Sequence, residues 1–414
     1  MLFLGDILML LGAFYVMALL RFDVGARNPL QIQLFVVLFG LWLVVFFIFD
    51  LYNIRRINPN PRNIGLLMAA MVVNTLIGVL LFYLISVGIT PKTNLAILVG
   101  ATFVLMVLWR RVFYLLFTKR FMRRIVIIGN NPLTEHLIQE IKEHKQLGTV
   151  VATWQTIPAD IEGIDVDLVI AEGIDPQTLL GLARTLDTQI LSLTEAYETI
   201  FAKIPIELMD EHQAIHLMGT RTTPAQYYVY RILEILIASV ILVATLPFLL
   251  IAVIALWIEE GGSPFYSQAR VGQHGKIFYF HKLRSMRHNA EQHGAQWAQQ
   301  KDTRITSIGR IVRKTHLDEV PQMINIMQGD LALIGPRAER PEFVKDLEQQ
   351  IPYYYLRHTV KPGFTGWAQI KYRYARSIQD SKEKFEYDLY YLKHKNPLFD
   401  VGIVLKTAQI MFTH

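Results

Sequence analysis

The sequence predicts a membrane protein of α plus α/β type. It divides into four transmembrane helices (1–118), a degenerate Rossmann-like domain (119–222), an apolar membrane helix-break-helix (223–262) and an α/β domain (263–414). Three observations carry this. Of 414 residues 52% are hydrophobic and 18% charged, and mean hydropathy is +0.30, on the membrane side of the globular norm. The charge is uneven: residues 1–118 hold eight Lys/Arg and three Asp/Glu, and everything after them has a net charge of only +1. Strand-like and helix-like runs alternate beyond Arg124. A near-neutral water-facing part argues against a nucleic-acid partner. The lack of cysteine excludes disulfides, thiolate metal sites and cysteine nucleophiles.

Four apolar runs open the chain: Leu2–Leu20, Ile32–Leu51, Ile64–Ile85 and Asn94–Trp109. Each is about long enough for a ~30 Å hydrocarbon core. The first has no basic flank, carries Asp6 and lacks a small-residue cleavage site, so it reads as an anchor and not a signal peptide. Lys/Arg bias sets orientation. Arg55, Arg56 and Arg62 follow the second run; Arg110, Arg111, Lys119, Arg120, Arg123 and Arg124 follow the fourth. The other two loops hold only Arg21, Arg27 and Lys92. Both ends of the four-helix unit are expected at the cytoplasm. No ionisable residue lies well inside a run, which argues against a transport path.

Arg124–Gly129 reads as a buried parallel strand ending in a turn. A helix near Leu133–His144, strands near Thr149–Trp154 and Asp167–Ala171, and a helix near Pro176–Leu186 follow. A dinucleotide needs Gly-x-Gly-x-x-Gly at the first turn, so that backbone N–H groups can approach the pyrophosphate. Here the turn is Gly129-Asn-Asn-Pro-Leu-Thr; one glycine remains, and Pro132 removes a donor. A structural or regulatory role is expected. His212 and His216 lack the Glu of His-Glu-x-x-His, so a solvated helix face is expected there, not zinc. The Tyr391/Lys395 pair lies far from this domain, which weakens a dehydratase or epimerase reading.

Ile232–Ile258 is a fifth apolar run, broken near its centre by Thr245-Leu-Pro247. Proline removes a helical hydrogen bond, and in lipid the freed groups need local partners such as Thr245 or Ser239. A kinked span and a re-entrant helix both fit.

Three clusters beyond it suit phosphate chemistry. Lys282 and Arg284 alternate, so on a strand they share a face. In Arg310–Gln322, Thr315 is an expected N-cap, with Pro321 early in the next helix. Asp318 and Glu319 would then lie in a first turn, where the helix dipole lowers a carboxylate pKa and keeps Asp318 ionised. Such an Asp can be a nucleophile or help hold Mg²⁺; the same pair can also be a simple cap. Arg313 could reach the same phosphate. The third cluster, Gly329–Pro341, contains the rigid turn Gly335-Pro-Arg337. The loop Lys361–Gln369 could be purely structural.

Four blocks stand in register: Lys282-x-Arg-Ser-Met, Arg313-Lys-Thr-x-Leu-Asp-Glu-x-Pro-Gln, Gly329-Asp-x-x-x-x-Gly-Pro-Arg and Pro362-Gly-x-Thr-Gly-Trp-Ala-Gln. Together, behind a proline-broken apolar run, they resemble the bacterial sugar transferases. These are the polyprenyl-phosphate hexose-1-phosphate transferases of the monotopic phosphoglycosyl transferase type. The blocks cover about 228–414, and the preceding regions are similar to the large members. Gly294-Ala-Gln-Trp-Ala and Arg340-Pro-Glu-Phe look most like exopolysaccharide-associated ones. One departure is Ala338, where the family usually has a second proline; this could loosen the turn that holds Arg337.

The resemblance implies transfer of hexose-1-phosphate from a nucleoside-diphosphate sugar, UDP being the expected carrier, to undecaprenyl phosphate. Undecaprenyl-diphosphate-hexose and UMP are the products, in the initiating step of a surface glycan. Asp318 would attack the sugar-bearing phosphorus, with Glu319 assisting as ligand or base. Mg²⁺ would lie near both carboxylates, and Lys282, Arg284, Arg313 and Arg337 would contact phosphate. Such a substrate is cytoplasmic, which favours re-entry at Pro247 over a span. The expected location is the bacterial inner membrane, with the catalytic domain at the cytoplasm. The apolar stretch Leu398–Phe412 would rest on the bilayer. The expected partners are the lipid phosphate, the nucleotide sugar, the bilayer and a second copy in a homodimer. Two alternatives are a non-catalytic assembly scaffold and a membrane-bound nucleotide-sugar dehydratase or epimerase.

Overall fold

The structure is a computed structural model. It describes residues 1–21, 29–52, 59–84, 91–120, 123–129, 131–143, 147–154, 166–186, 188–218, 223–287, 290, 302–372 and 377–412. Arg27, Arg55, Arg56 and the 294–298 segment lie outside them. The chain forms two compact units, Met1–Leu193 and Thr194–His414.

The first unit begins with four helices: α1 Leu2–Arg21, α2 Pro29–Ile48, α3 Pro61–Leu84 and α4 Pro91–Arg120. Leu10, Ala13, Met17, Leu38, Trp42, Leu98 and Met106 pack inside, while Leu4, Leu8, Val36, Leu76 and Leu80 remain exposed on the outside. An apolar outside is what a lipid-facing helix requires. Among the described residues four helical stretches are long and apolar enough to cross a membrane: Leu2–Leu20, Asn63–Tyr83, Thr93–Leu116 and Pro224–Glu260; Gln33–Ile48 is a shorter apolar one. α1 and α4 approach closely at Gly5, where a Cβ would stand 2.0 Å from the Trp109 ring. At the next residue of each helix, Arg110 donates to the fully buried Asp6 at 2.7 Å and also to the Leu51 carbonyl. The two charges pair across α1 and α4, so they form a lock between these helices.

A parallel sheet follows, made of β1 Arg124–Ile128, β2 Thr149–Trp154, β3 Leu168–Ala171 and β4 Gln189–Ser192 in the order β2-β1-β3-β4. α5 Pro132–Glu143 and α6 Pro176–Leu186 connect its strands. β1 and β3 are buried along most of their length, which explains their uninterrupted Ile/Val runs.

The second unit opens with α7 Leu193–Phe201 and α8 Glu211–Met218. Ile204, Ile206, Met209, Ala214 and Leu217 enter one core with Leu347, Ile351, Tyr354, Leu356, Phe385 and Leu389. The segment before residue 223 therefore packs into the same unit as the α/β region. That segment also holds His212 and His216, both exposed on α8.

α9 runs from Pro224 to Glu260 as one helix with Pro247 inside it, so the expected break is an interior proline and not an end of the helix. Thr223 caps its start through a reciprocal box with Gln226, and Gly261 ends it in the left-handed region. Thr245 Oγ1 donates to the Ile241 carbonyl at 2.7 Å, a back-bond that bends helices, as proline does. Arg231, Glu234, Ala238, Leu242, Thr245, Leu249, Ala252, Leu256 and Glu259 follow one another at spacings of three and four, so they share one face. That face meets the rest of the unit on both sides of Pro247.

The remaining elements are β5 Phe265–Val271, β6 Ile277–Leu283, α10 Ser307–Lys314, α11 Gln322–Gln328, β7 Ala332–Ile334, α12 Pro341–Gln350, β8 Gly363–Thr365, α13 Trp367–Lys371, α14 Ile378–His394 and α15 Pro397–Phe412. β5 and β6 form an antiparallel hairpin; β7 and β8 are parallel. On α15, Leu398 and Val401 are exposed, while Ile403 is buried. Tyr391 is also buried, and its hydroxyl donates to Asp400 at 3.0 Å, a structural use.

Candidate active site

Asp318 and Glu319 sit on the short 3₁₀ turn Leu317–Glu319 between α10 and α11. This differs from the expected placement in two ways. Thr315 is the C-cap of α10, where its hydroxyl donates to the Ile311 and Val312 carbonyls. His316, in a left-handed conformation with φ 57°, reverses the chain, so the carboxylates precede α11 instead of lying in its first turn. The pKa of Asp318 is accordingly raised and not lowered. Burial is the main cause and the neighbouring Glu319 charge adds to it, while Lys282 and Arg313 pull the other way.

Glu319 is the better-paired carboxylate. Arg337 donates to its Oε1 at 3.0 Å, and Lys282 Nζ lies 3.9 Å from the same oxygen. Burial alone would raise Glu319, but these two cations outweigh it and hold the group down at about 2. Lys282 is pushed down to about 8, first by burial and then by Arg337 and Arg270, against the pull of Glu319. Lys282 also lies over the Phe280 ring, 5.0 Å from its centroid. The turn therefore presents one strongly ionised, cation-bound carboxylate, Glu319, beside a second, Asp318, whose pKa burial raises.

β6 supplies Lys282 but ends at Leu283, so Arg284 lies just past the strand. Arg284 Nη2 approaches the Phe265 carbonyl at 3.5 Å, whereas Lys282 lies beside Glu319. Arg313, at the end of α10, donates from Nε to Ser285 Oγ at 2.7 Å. Asn325 on α11 ties that helix to β6, donating to the Tyr279 carbonyl and accepting from the His281 N–H. Lys282 is thereby held against the turn. Pro247 lies on α9, away from these side chains in sequence, on the exposed side of the helix.

Arg337 is placed by backbone crossings that only glycine permits. A Cβ on Gly363 would stand 2.0 Å from Gly335 N, and one on Gly366 would stand 2.1 Å from Gly335 O. The loop around Gly363 is thus the partner of the Gly335-Pro-Arg337 turn, with Gly335 N–H donating to Thr365 O and Gly363 N–H to Pro336 O. Two arginines missed in the sequence hold the rest of that turn. Arg357 donates to the Arg337 carbonyl at 3.0 Å, and Arg270 to the Ala338 carbonyl at 3.1 Å. Ala338 is itself buried, so packing and the Arg270 clamp do what a second proline would otherwise do. Arg357 pairs in turn with Asp388 at 3.0 Å. A lone Arg on a strand or a loop carries no sequence signal for such a role.

Among the described residues no group of three or more His, Asp or Glu is placed to hold a metal. Two adjacent carboxylates remain, and that set suits Mg²⁺, which commonly takes one or two protein carboxylates and completes its shell with phosphate and water.

The sequence profile of the family described as bacterial sugar transferase matches residues 225–414. The chain is 34% identical over 260 residues to the UDP-N-acetylgalactosamine-undecaprenyl-phosphate N-acetylgalactosaminephosphotransferase of Aeromonas hydrophila, covering 61% of each. It is 29% identical over 250 residues to the UDP-glucose:undecaprenyl-phosphate glucose-1-phosphate transferase of Escherichia coli, covering 60% of this chain and 54% of that one. A Caulobacter vibrioides protein of the same name is 31% identical over 185 residues, 44% of this chain and 69% of its own length. The matches thus span little more than half of the first two relatives. The profile match includes the Asp318 and Arg337 turns, the Caulobacter protein is matched over more than two thirds of its own length, and the chain belongs to the bacterial sugar transferase family.

Proposed function

We propose that this protein transfers hexose-1-phosphate from a nucleoside-diphosphate sugar, UDP being the favoured carrier, to undecaprenyl phosphate. The observation that carries the reading is the Asp318–Glu319 turn facing Lys282 and Arg337. Cations on one side of a diphosphate and a carboxylate available to phosphorus are what such a transfer needs. In the proposed course an Asp318 oxygen attacks the sugar-bearing phosphorus. Its bond to the nucleotide oxygen breaks, and UMP leaves. An oxygen of the lipid phosphate then attacks the same phosphorus and returns the carboxylate. Lys282, Arg313 and Arg337 hold phosphate oxygens, and Arg284 is a more distant phosphate contact. Glu319 orients Arg337 and Lys282, and with Asp318 it would hold Mg²⁺, which supplies charge neutralisation on the diphosphate.

The re-entrant placement of α9 belongs to this proposal. Its support is the single protein-facing stripe: Arg231 near one end and Glu259 near the other both bond to the same α/β region. A helix that crossed the bilayer would separate those ends. We place the catalytic domain on the cytoplasmic side of the inner membrane, because nucleotide sugars are made there. Single cysteines at Gln226 and Ser263 test this, since the chain has none of its own. Neither should react with an impermeant maleimide in intact cells, and labelling of Ser263→Cys alone would mean a span. The β2-β1-β3-β4 sheet we read as a Rossmann-like unit with a structural or regulatory role. A homodimer remains an expectation of the reading.

The direct test is a radiolabel transfer assay with membranes and undecaprenyl phosphate over a panel of UDP-sugars. Lipid-linked label with release of UMP is expected. No transfer from any donor, or full transfer by Asp318→Asn, would return the protein to the scaffold reading.

A further inference from the structure

We infer that α9 is a splint for the catalytic turn, with Arg231 and Glu259 as its two positioning residues, so that the seating of this helix in the bilayer sets the geometry at Asp318 and Glu319. The inference rests on the transferase reading above. The turn lies between α10, of eight residues, and α11, of seven. Helices this short have little stability of their own, so their position comes from what they pack against.

α9 reaches the far end of each. At the C-terminus of α11, Arg231 donates from Nη1 and Nη2 to the Ile326 and Met327 carbonyls, the latter at 2.7 Å. At the N-terminus of α10, the Glu259 carboxylate accepts from the Ser307 and Ile308 N–H groups at 2.8 and 3.1 Å. Glu259 at the N–H groups of Ser307 and Ile308, and Arg231 at the Met327 carbonyl, satisfy backbone groups of a helix end, while the Ile326 carbonyl also accepts from Gly329 N–H; each clamp puts the favourable sign of charge on the helix dipole. Between the clamps, Leu249, Ala252 and Leu256 pack with Val312 and Val320, on either side of the turn, and Ala238 packs with Met323 and Ile326. The opposite face exposes Ile232, Leu236, Val240, Val243, Phe248, Ile251, Ile254 and Trp257, an apolar surface suited to lipid. Thr245 and Pro247, the two bending devices, lie between the clamps. A change in the bend of α9 thus changes the separation of the clamps and with it the pose of the turn.

The experiment uses the full-length protein in lipid nanodiscs, with undecaprenyl phosphate and the nucleotide sugar that the panel selects. Arg231→Gln and Glu259→Gln should each lower kcat about fivefold, the size of one lost cap, with donor KM within about twofold. Amide exchange at residues 315–320 should quicken about tenfold. Arg231→Lys and Glu259→Asp should recover most of kcat, which mere loss of fold would not do. Unchanged kcat and exchange, or a loss confined to KM, would overturn the inference. A second measurement needs no variant: exchange at 315–320 in the unaltered protein should differ between short-chain and long-chain lipids, as α9 adapts to thickness. Equal exchange in both would also overturn it. If the unaltered protein transfers from no donor, the transferase reading fails, while the exchange measurements still decide the splint.

Discussion

Two turns in this chain stand where a phosphate could bind, and they are built in opposite ways. At the carboxyl end of β1, Gly129 opens the turn to α5, where a doubly wound sheet would receive a nucleotide. That space is filled from within. The Glu172 side chain lies over Gly129, where an added Cβ would meet it at 3.3 Å, and Asn131 donates to its carboxylate. Asn131 also caps α5 by accepting from the Thr134 N–H at 2.9 Å. A pyrophosphate would meet a negative charge there, in place of open backbone donors. At the second turn the carboxylates of Asp318 and Glu319 face cations, and Glu319 is already neutralised by Arg337 and Lys282. An acidic residue at a turn thus closes one site to phosphate and equips the other. The difference lies in which counter-charges the surrounding strands deliver.

The largest test of that contrast is Asp318→Asn against Glu172→Gln. An amide is a far poorer nucleophile and metal ligand than a carboxylate, so Asp318→Asn should cost at least about a thousandfold in transfer rate. Glu172→Gln should leave transfer within about twofold. Radiolabel transfer at matched protein levels measures both. A residual tenth of the activity in Asp318→Asn would sink the covalent course, and a large loss in Glu172→Gln would mean that the first turn serves the reaction.

Arg337→Lys should cost roughly ten- to a hundredfold, because an ammonium cannot present a guanidinium's planar fork to Glu319 and a phosphate together. The fall is expected mainly in kcat/KM for the donor, read from initial rates. A lysine variant with unaltered kinetics would show that charge alone suffices at this position.

A smaller effect follows from pH. Lys282 is held down at about 8, so it loses its charge as pH rises through that value, well below the usual lysine range. If its cation holds phosphate, transfer should fall about tenfold per pH unit above that point. Lys282→Arg stays protonated there and should carry the alkaline limb upward by a unit or more in a rate–pH profile. Glu319 has the opposite sign. Its folded value of about 2 lies below its ordinary one, so its stabilising contribution is present above about pH 4.5 and is lost as pH falls from there towards 2.

The smallest effect on activity is expected from removing the first turn altogether. A chain starting at Thr194 should keep transfer within about threefold in liposomes. One starting at Ala225 loses Ile204, Ile206, Met209 and Leu217 from a shared core, together with the Lys203–Glu386 pair at 2.9 Å. At about 1.5–3 kcal/mol for each fully buried aliphatic and about 2–4 °C per kcal/mol for a unit of this size, its Tm should drop by about 10 °C or more in a thermal scan. Equal Tm values would mean that residues 194–224 merely decorate the second unit.

Much of this was legible in the sequence, because it rests on local rules. The apolar runs are α1 to α4 and α9, since span length depends only on hydropathy and rise per residue. The β–α alternation from Arg124 onwards appears as β1 to α6 because buried parallel strands need continuous apolar runs. Lys282, Asp318, Glu319 and Arg337 could be picked out because their blocks bear a family's pattern. What the sequence left open is set by contacts distant along the chain. Thr315 ends α10 instead of starting a helix, because His316 turns the chain in the left-handed region. The sign of the Asp318 shift is a matter of burial and of the charges around it, which no helix-dipole argument contains. Arg270 and Arg357 gain their role only because strand β5 and the Tyr354–Thr359 turn bring them to the carbonyls of Ala338 and Arg337. Arg231 and Glu259 flank the Ile232–Ile258 run, whose sequence fits a kinked span or a re-entrant helix, and they become clamps because α9 lies along α10 and α11. Hydropathy and propensity act over neighbouring residues, whereas pairing of charges and filling of helix ends depend on which distant groups the packed core brings within about 3 Å.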